Sequence, residues 1–304
     1  MSRPLVRPAW LIGAGVAVLV DRALGEPPTP IHPVACFGRA MTALERSLYR
    51  DSRWMGVVHA TLGTGAGLVT GLLVRSTVVA NYVAVGGRSL AEAASAVARS
   101  LDLDLERARS LLPTLVGRDP SDLDAPEVAR AVIESVAENT VDAIVAPTVW
   151  AAALGPAGAL GYRAVNTMDA MVGHHSTRFE NYGWASARLD DVVNWIPARL
   201  TAALVALVRP RSVTTIVRGV RTQAPLHPSP NAGVSEVAFA AALGLRLGGR
   251  NRYDDRVEIR PPLGYGRTGT GDDIDDAIRL SRDVSLALAA LLVGTGVAVA
   301  VARA

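Results

Sequence analysis

Two uncharged runs set the terms on which this chain folds: WMGVVHATLGTGAGLVTGLLV at 54–74 and VSLALAALLVGTGVAVAVA at 284–302. A helix needs roughly 20 predominantly apolar residues to cross the hydrocarbon core of a bilayer. A helix on the surface of a soluble bundle loses charge from one stripe only, whereas here it is missing all the way round. The reading is an all-α, polytopic integral membrane helical bundle with amphipathic surface helices and polar active-site loops. Of the 304 residues, 50% are hydrophobic and 19% charged, less charge than the roughly 25% of soluble domains.

Three further apolar segments lie near 5–20, 143–162 and, weakly, 200–208. The first follows Arg3 and Arg7, and the DRALGEPP after it lacks a small-residue cleavage site, so an uncleaved anchor is expected. The second is interrupted by Pro147 and by Gly155-Pro156. It is expected to be broken, re-entrant or buried in protein, because irregular backbone survives at membrane depth only there or along a wet cavity. Arginine flanks nearly every segment and does not orient them. Without an internal repeat or a low-complexity linker, residues 1–304 read as one domain.

Composition also excludes chemistry. All 31 basic residues are arginine. Without lysine there is no Walker A P-loop and no Schiff base to pyridoxal phosphate. The single cysteine, Cys36, allows neither an intrachain disulfide nor a Cys-based zinc site. The net charge of +3 with scattered arginines carries no nucleic-acid signal.

The polar stretches hold the candidates. Residues 87–142 read as surface helices, with capping boxes at Ser89/Glu92 and at Asp124/Glu127, the latter with Pro126 in the first turn. Along ESVAENTVDA (134–143), Glu134, Glu138 and Asp142 recur every four residues and so share a helix face, with Arg130 one turn earlier and Asn139 alongside. Such a stripe is either a solvated face or a charge cluster that needs a cation. The stretch YRAVNTMDAMVGHHSTRFENYGWASARLDDVVNWIPARL, from Tyr162 on, spaces Arg163, Asn166 and Asp169 by three and Asp190 and Asn194 by four, with Arg188 and Asp191 beside them. His174 and His175, being adjacent, cannot both face one metal from a helix. A proline-rich loop at 21–39 carries Arg22, His32 and Arg39. In 227–249, Asn231 sits in a turn before a small-residue helix that Ser235 is placed to cap. The glycine-rich 264–273 is either a phosphate-wrapping loop or a connection capped by Asp272 or Asp273.

Taken in order, DRALGEPP, ESVAENTVDA, YRAVNTMDAMVGH, YGWASARLDDVVNWIPARL and SPNAGVSEVAFAAALGLRLGG resemble the CobD/CbiB family of cobalamin biosynthesis, the adenosylcobinamide-phosphate synthases. The likeness runs over about residues 20–280 and departs at Val234-Ser235 and Ala241. It implies a multi-pass enzyme of the cell membrane with its active site facing the cytoplasm. That enzyme joins (R)-1-amino-2-propanol, or its O-phosphate, to the f propionate of adenosylcobyric acid, using ATP and Mg²⁺. The implied partners are those two substrates, the lipid bilayer and other membrane enzymes of the corrinoid pathway, with no nucleic acid.

Amide formation of this kind needs a held phosphate, a metal-bound nucleotide and a base for the amine. Glu134, Glu138, Asp142, Asp169, Asp190 and Asp191 are the candidate metal ligands. Glu134, Glu138, His32 and His174 are the candidate catalytic groups, with a histidine as base. Arg22, Arg39, Arg163 and Arg188 are candidate phosphate clamps, and Asn139, Asn166, Asn194 and Asn231 candidate readers of corrinoid amides. The alternative of another class is a membrane corrinoid scaffold or transporter without ligase activity. A transporter is expected to show inverted repeats, which are not seen. A CDP-alcohol phosphotransferase lacks its spaced aspartate signature here.

Overall fold

The computed structural model describes residues 7–27, 29–174, 176–253 and 256–304. Its helices, in chain order, are α1 (Pro8–Leu24), α2 (Pro33–Leu48), α3 (Arg53–Val74), α4 (Thr77–Ala84), α5 (Gly87–Leu101), α6 (Leu105–Leu111), α7 (Ala125–Thr140), α8 (Ala146–Met168), α9 (Trp184–Val193), α10 (Trp195–Val208), α11 (Val213–Thr222), α12 (Ala232–Leu243) and α13 (Gly271–Val301). Two π-helical turns, Val141–Val145 and Asp169–Gly173, flank α8. This is the helical membrane bundle that the apolar runs imply, with one addition. An antiparallel hairpin of β1 (Leu247–Tyr253) and β2 (Arg256–Leu263) precedes α13. The sequence hides it because Gly248, Gly249, Pro261 and Pro262 all argue against strands.

Among the described residues three helical runs are long and apolar enough to cross a membrane: Arg53–Val74, Ala125–Gly173 and Gly271–Val301. They contain the expected segments 54–74, 143–162 and nearly all of 284–302. The expected 5–20 segment becomes the 17-residue α1, its residues 5 and 6 lying outside the described part. The weak 200–208 segment is the end of the 14-residue α10.

The chain divides into two compact units, each made of separated stretches: Met1–Gly86, Asp142–Asn194 and Leu288–Ala304 in the first, Gly87–Val141 and Trp195–Ala287 in the second. In the first, α3 buries Gly56, Ala60, Gly63, Gly67 and Gly71. Small side chains let membrane helices approach closely, and a Cβ on Gly67 would come within 2.6 Å of Ala164 on α8. Asn81 of α4 is fully buried and donates to the Ala14 carbonyl at 3.0 Å and to Thr148 Oγ1 at 3.2 Å, a polar tie among α1, α4 and α8. The break expected in 143–162 is real. Gly155 takes φ 67° and ψ −149° ahead of Pro156, and the ring of Trp10 occupies the space a Cβ would need.

In the second unit, α5 buries Leu90, Ala94, Val97 and Leu101 as its period requires. Its expected capping box is not formed. The helix starts at Gly87, so Ser89 lies inside it, and Glu92 pairs with Arg88. The box at Asp124/Glu127 does form, Asp124 Oδ1 accepting from the Glu127 amide at 2.9 Å and Glu127 Oε2 from the Asp124 amide at 3.0 Å. The α7 it starts is no surface helix: Val128 to Ala137 are buried without a gap. Nor does Ser235 cap α12. That helix begins at Ala232, and the Ser235 hydroxyl donates to the Ala232 carbonyl from within its first turn. The 264–273 loop is tied down by Asp273, which accepts from the Thr270 amide and from Arg267. Asp273 thus ties the connection in the manner the second alternative describes.

Candidate functional site

The second unit carries its charge inside. Arg130 and Glu134 on α7 are 7% and 2% exposed, so the first half of the stripe is not a solvated face. Glu134 accepts from Arg118, from Arg130 Nη1 at 3.3 Å and from the Gly248 amide at 2.8 Å. Arg118 Nη1 and Arg130 Nη1 both donate to Asn251 Oδ1, at 2.7 and 3.1 Å, and Arg130 Nη2 donates to the Arg250 carbonyl at 2.9 Å. The Gly248 amide reaches Glu134 because β1 shifts register between Leu247 and Gly249, with Gly248 at φ 83°. A bulge of this kind re-aims backbone, and only glycine accepts that conformation without strain. Charges buried this deeply are tolerated only when paired and hydrogen-bonded, and Glu134 is both.

Beside this pair lies a cavity of about 130 Å³, lined by Arg118, Glu134, Ser135, Glu138, Glu236 and Arg260 among others. Glu236, on α12, is fully buried, and neither of its carboxylate oxygens has a hydrogen-bond partner among the described residues. Arg260 Nη1 stands 3.7 Å from it and His227 Nε2 3.8 Å, both beyond hydrogen-bonding reach. Burial pushes the Glu236 carboxyl well above its ordinary range, and the neighbouring Glu134 and Glu138 push it further. His227 Nδ1 lies 3.0 Å from the Ser229 amide and 3.2 Å from the Ser229 carbonyl, and its Nε2 faces Glu236. Its pKa is lowered, first by burial and then by Arg260. Glu138 is exposed and presents its carboxylate to the cavity.

A second polar centre belongs to the first unit and is built around α8. Tyr162 donates to Asn194 Oδ1 at 2.9 Å, and Asn194 Nδ2 donates to Asp190 Oδ2 at 2.9 Å, the i, i+4 pair the spacing predicts. Asn166 Nδ2 reaches Asp190 Oδ1 at 3.5 Å and Arg163 reaches Asn166 at 3.3 Å. His32 caps α2, its Nδ1 accepting from the Val34 amide, with Nε2 3.6 Å from Glu26. Burial holds its pKa down, Glu26 opposing and Arg163 adding to the effect. With its lone pair taken by the cap, His32 is suited to donate from Nε2 rather than to accept a proton. The π-helical turns place Asp142 and Asp169 at the two ends of α8. Such turns occur often at functional sites.

The remaining candidates are scattered. Asn139 donates to the Ser135 carbonyl of its own helix and Asn231 accepts from Arg199 at 2.8 Å. Arg188 is exposed and paired with Asp191. Arg39 is exposed, donating to the Pro30 carbonyl, and Arg22 lies in the last turn of α1. His174 is exposed against Phe179, and His175 lies outside the described residues. The six candidate metal ligands are divided between the units. Glu134 and Glu138 belong to the second unit, and Asp142, Asp169, Asp190 and Asp191 to the first. Asp142 also leaves the regular stripe, because α7 ends at Thr140 and a π-helical turn follows. Among the described residues no three His, Cys, Asp or Glu side chains are placed to hold a metal ion.

Arg118, Asn251, His227, Glu236 and Arg260 were not singled out by sequence reasoning. Only Glu236 leaves a trace, as the lone charge in the otherwise apolar AGVSEVAFAAAL.

Comparison with known proteins agrees with the order of the sequence strings. The CobD/Cbib protein family matches residues 14–281. A protein of Mycobacterium tuberculosis named Cobalamin biosynthesis protein CobD is 47% identical over 296 residues, covering 93% of this chain and 94% of its own. Proteins of the same name from Chromobacterium violaceum and Rhodobacter capsulatus are 43% and 42% identical, over 87% and 85% of this chain and 90% and 87% of theirs. No solved structure matches. The chain is a member of the CobD/Cbib family.

Proposed function

We propose that this chain is a membrane enzyme of cobalamin biosynthesis that forms an amide between the f propionate of adenosylcobyric acid and (R)-1-amino-2-propanol or its O-phosphate, at the expense of ATP. The observation that carries this reading is the family match across most of the chain, together with relatives named for cobalamin biosynthesis. The cavity lined by Arg118, Arg260, Glu138 and Glu236 supports it, since it offers both signs of charge at one place.

Condensing a carboxylate with an ammonium ion is uphill in water, so the acid must be activated. In the simplest route ATP phosphorylates the propionate, giving an acyl phosphate and ADP. The neutral amine then attacks the carbonyl and inorganic phosphate leaves. Magnesium enters on the nucleotide, as part of the substrate. The protein's share is to hold the amine, take its proton and exclude water. Glu138, open to the cavity, is the proposed proton acceptor; Glu134 is already engaged by two arginines. The cytoplasmic side is where ATP is supplied, and the site is assigned to it.

The test is direct. Purified protein is incubated with adenosylcobyric acid, Mg-ATP and each form of the amine, and the product is sought by its mass. Corrinoid binding without ATP consumption or amide product would favour a scaffold or transporter instead.

A further inference from the structure

We infer that α11 and the arginines around it form a docking surface for the headgroups of anionic lipids, at the level where the second unit meets the surface of the bilayer.

Position comes first. From Leu200 to Val208 the end of α10 carries no charge, and the uncharged run of α13 begins at Val284. At the next residue of each, Arg209 Nη2 donates to Asp283 Oδ2 at 2.9 Å. Uncharged side chains on one side of an ion pair and charged ones on the other mark the level at which hydrocarbon gives way to headgroups. On the apolar side, Ile196 and Leu207 of α10 share one face three turns apart and are 57% and 59% exposed. Just past Arg209, α11 begins at Val213.

Charge comes next. Between residues 192 and 253 stand eight arginines and one acid, and that acid, Glu236, is fully buried. The surface of this stretch therefore supplies no negative charge of its own. The inner face of α11 is Ile216 and Gly219, packed on α12 so closely that a Cβ on Gly219 would come within 2.5 Å of Val237. Its other face, with Val213, Thr214, Val217, Arg218 and Arg221, is exposed. Exposed arginines on other helices take an acid from their own helix, as Arg88 takes Glu92, Arg188 takes Asp191 and Arg279 takes Asp276. Among the described residues Arg211, Arg218 and Arg221 take none, and Arg218 lies over the exposed ring of Tyr265 at 5.2 Å.

Valines beside arginines, with a tyrosine at their edge, are the composition of a helix that lies in the membrane interface. An arginine near an anionic membrane surface strengthens attachment by about fivefold. Free phosphate would answer the guanidinium groups and leave Val213 and Val217 in water. A lipid answers both, its phosphate on the arginines and its glycerol and upper acyl carbons on the valines.

The experiment titrates the full-length protein in detergent with phosphatidylglycerol or phosphatidylcholine of the same acyl chains, and counts bound lipid by native mass spectrometry. Phosphatidylglycerol is expected to bind about tenfold more tightly, and the Arg211→Gln, Arg218→Gln, Arg221→Gln triple variant should lose that preference. In bilayer discs that contain phosphatidylglycerol, the α11 amides should exchange hydrogen more slowly than in discs of phosphatidylcholine alone, and in the variant the two rates should match. An undiminished preference in the variant overturns the inference. So does displacement of the lipid by an equal concentration of inorganic phosphate, which would make this a site for soluble anions. A lipid-free wild type that is dimeric, beside a monomeric variant, would assign the face to a second copy of the chain instead. Should the triple variant fail to fold, Arg218→Gln with Arg221→Gln takes its place, and an unchanged lipid preference there is equally fatal. Amide formation enters neither readout, so the proposed reaction stands or falls separately.

Discussion

Arg118 and Glu134 meet as an ion pair whose side chains are 4% and 2% exposed. One stands in the loop after α6 and the other in the middle of α7, and the same guanidinium reaches Asn251 on β1. The pair therefore clamps three parts of the second unit around the cavity. Removing one member of a buried pair costs about 3–5 kcal/mol when the other is left uncompensated; without Arg118, Glu134 keeps Arg130 and the Gly248 amide, so the cost falls at or below the lower end of that range. Arg118→Met is expected to lower the unfolding free energy in detergent accordingly. Arg118→Met with Glu134→Leu should recover part of the loss, measured in the same denaturant titration.

Glu138 is open to the cavity while Glu134 is not. Glu138→Gln keeps the volume and hydrogen-bonding shape but cannot accept a proton. Amide formation should fall by about 10²–10⁴-fold, the usual contribution of a general base. Thermal unfolding should be unchanged within error. A variant that turns over at near the wild-type rate would remove Glu138 from the chemistry.

Gly155 sits at φ 67°, ψ −149°, against the ring of Trp10. An alanine there adds backbone strain of about 1–3 kcal/mol, before the clash with the indole. Gly155→Ala should lower the thermal midpoint and the yield of monodisperse protein. Trp10→Ala in the same chain should relieve the clash but not the strain, so rescue is expected to be partial.

Tyr162 is 4% exposed and donates to Asn194, which in turn holds Asp190. Tyr162→Phe removes one hydroxyl and leaves the Asn194 oxygen buried without its donor. The expected cost is about 1–3 kcal/mol, read from the same denaturant series. An unchanged midpoint would mean that this polar chain does not hold the first unit together.

Burial lowers the pKa of both His32 and His227. The unfolded chain then binds more protons than the folded one between the lowered values and the ordinary histidine value near 6.5. Stability is therefore fully present above about pH 6.5 and is lost as pH falls below it. Going from pH 7.5 to 5.5, the wild type should lose stability relative to the His32→Asn, His227→Asn double variant, a comparison in which the opposite contribution of Glu236, its carboxyl raised by burial, is common to both. The same pH dependence in the two proteins would contradict it.

Some of this was written in local spacing. The uncharged runs at 54–74 and 284–302, the capping box before α7, the break at Gly155-Pro156 and the Asp190–Asn194 pair each depend on residues a few positions apart. Helical period, cap chemistry and the stereochemistry of glycine and proline act over that same range, so the order of residues was enough to determine them. The strings that place the chain in its family were legible for the same reason. The sequence could not tell whether the stripe at 134–142 faced water or protein, because the same spacing serves both.

That choice was made by tertiary structure. The partners that turn Glu134 inward are Arg118, Asn251 and the amide of Gly248, and Arg118 and Asn251 alone are 133 positions apart. The hairpin that delivers two of them is built from glycines and prolines that argue against strands. Likewise Glu236 is one acid in an apolar helix until α7, the loop before it and β2 close around it. Whether a charged side chain is a solvated ornament or part of a site depends on desolvation and on long-range partners, and neither is a property of its near neighbours in sequence.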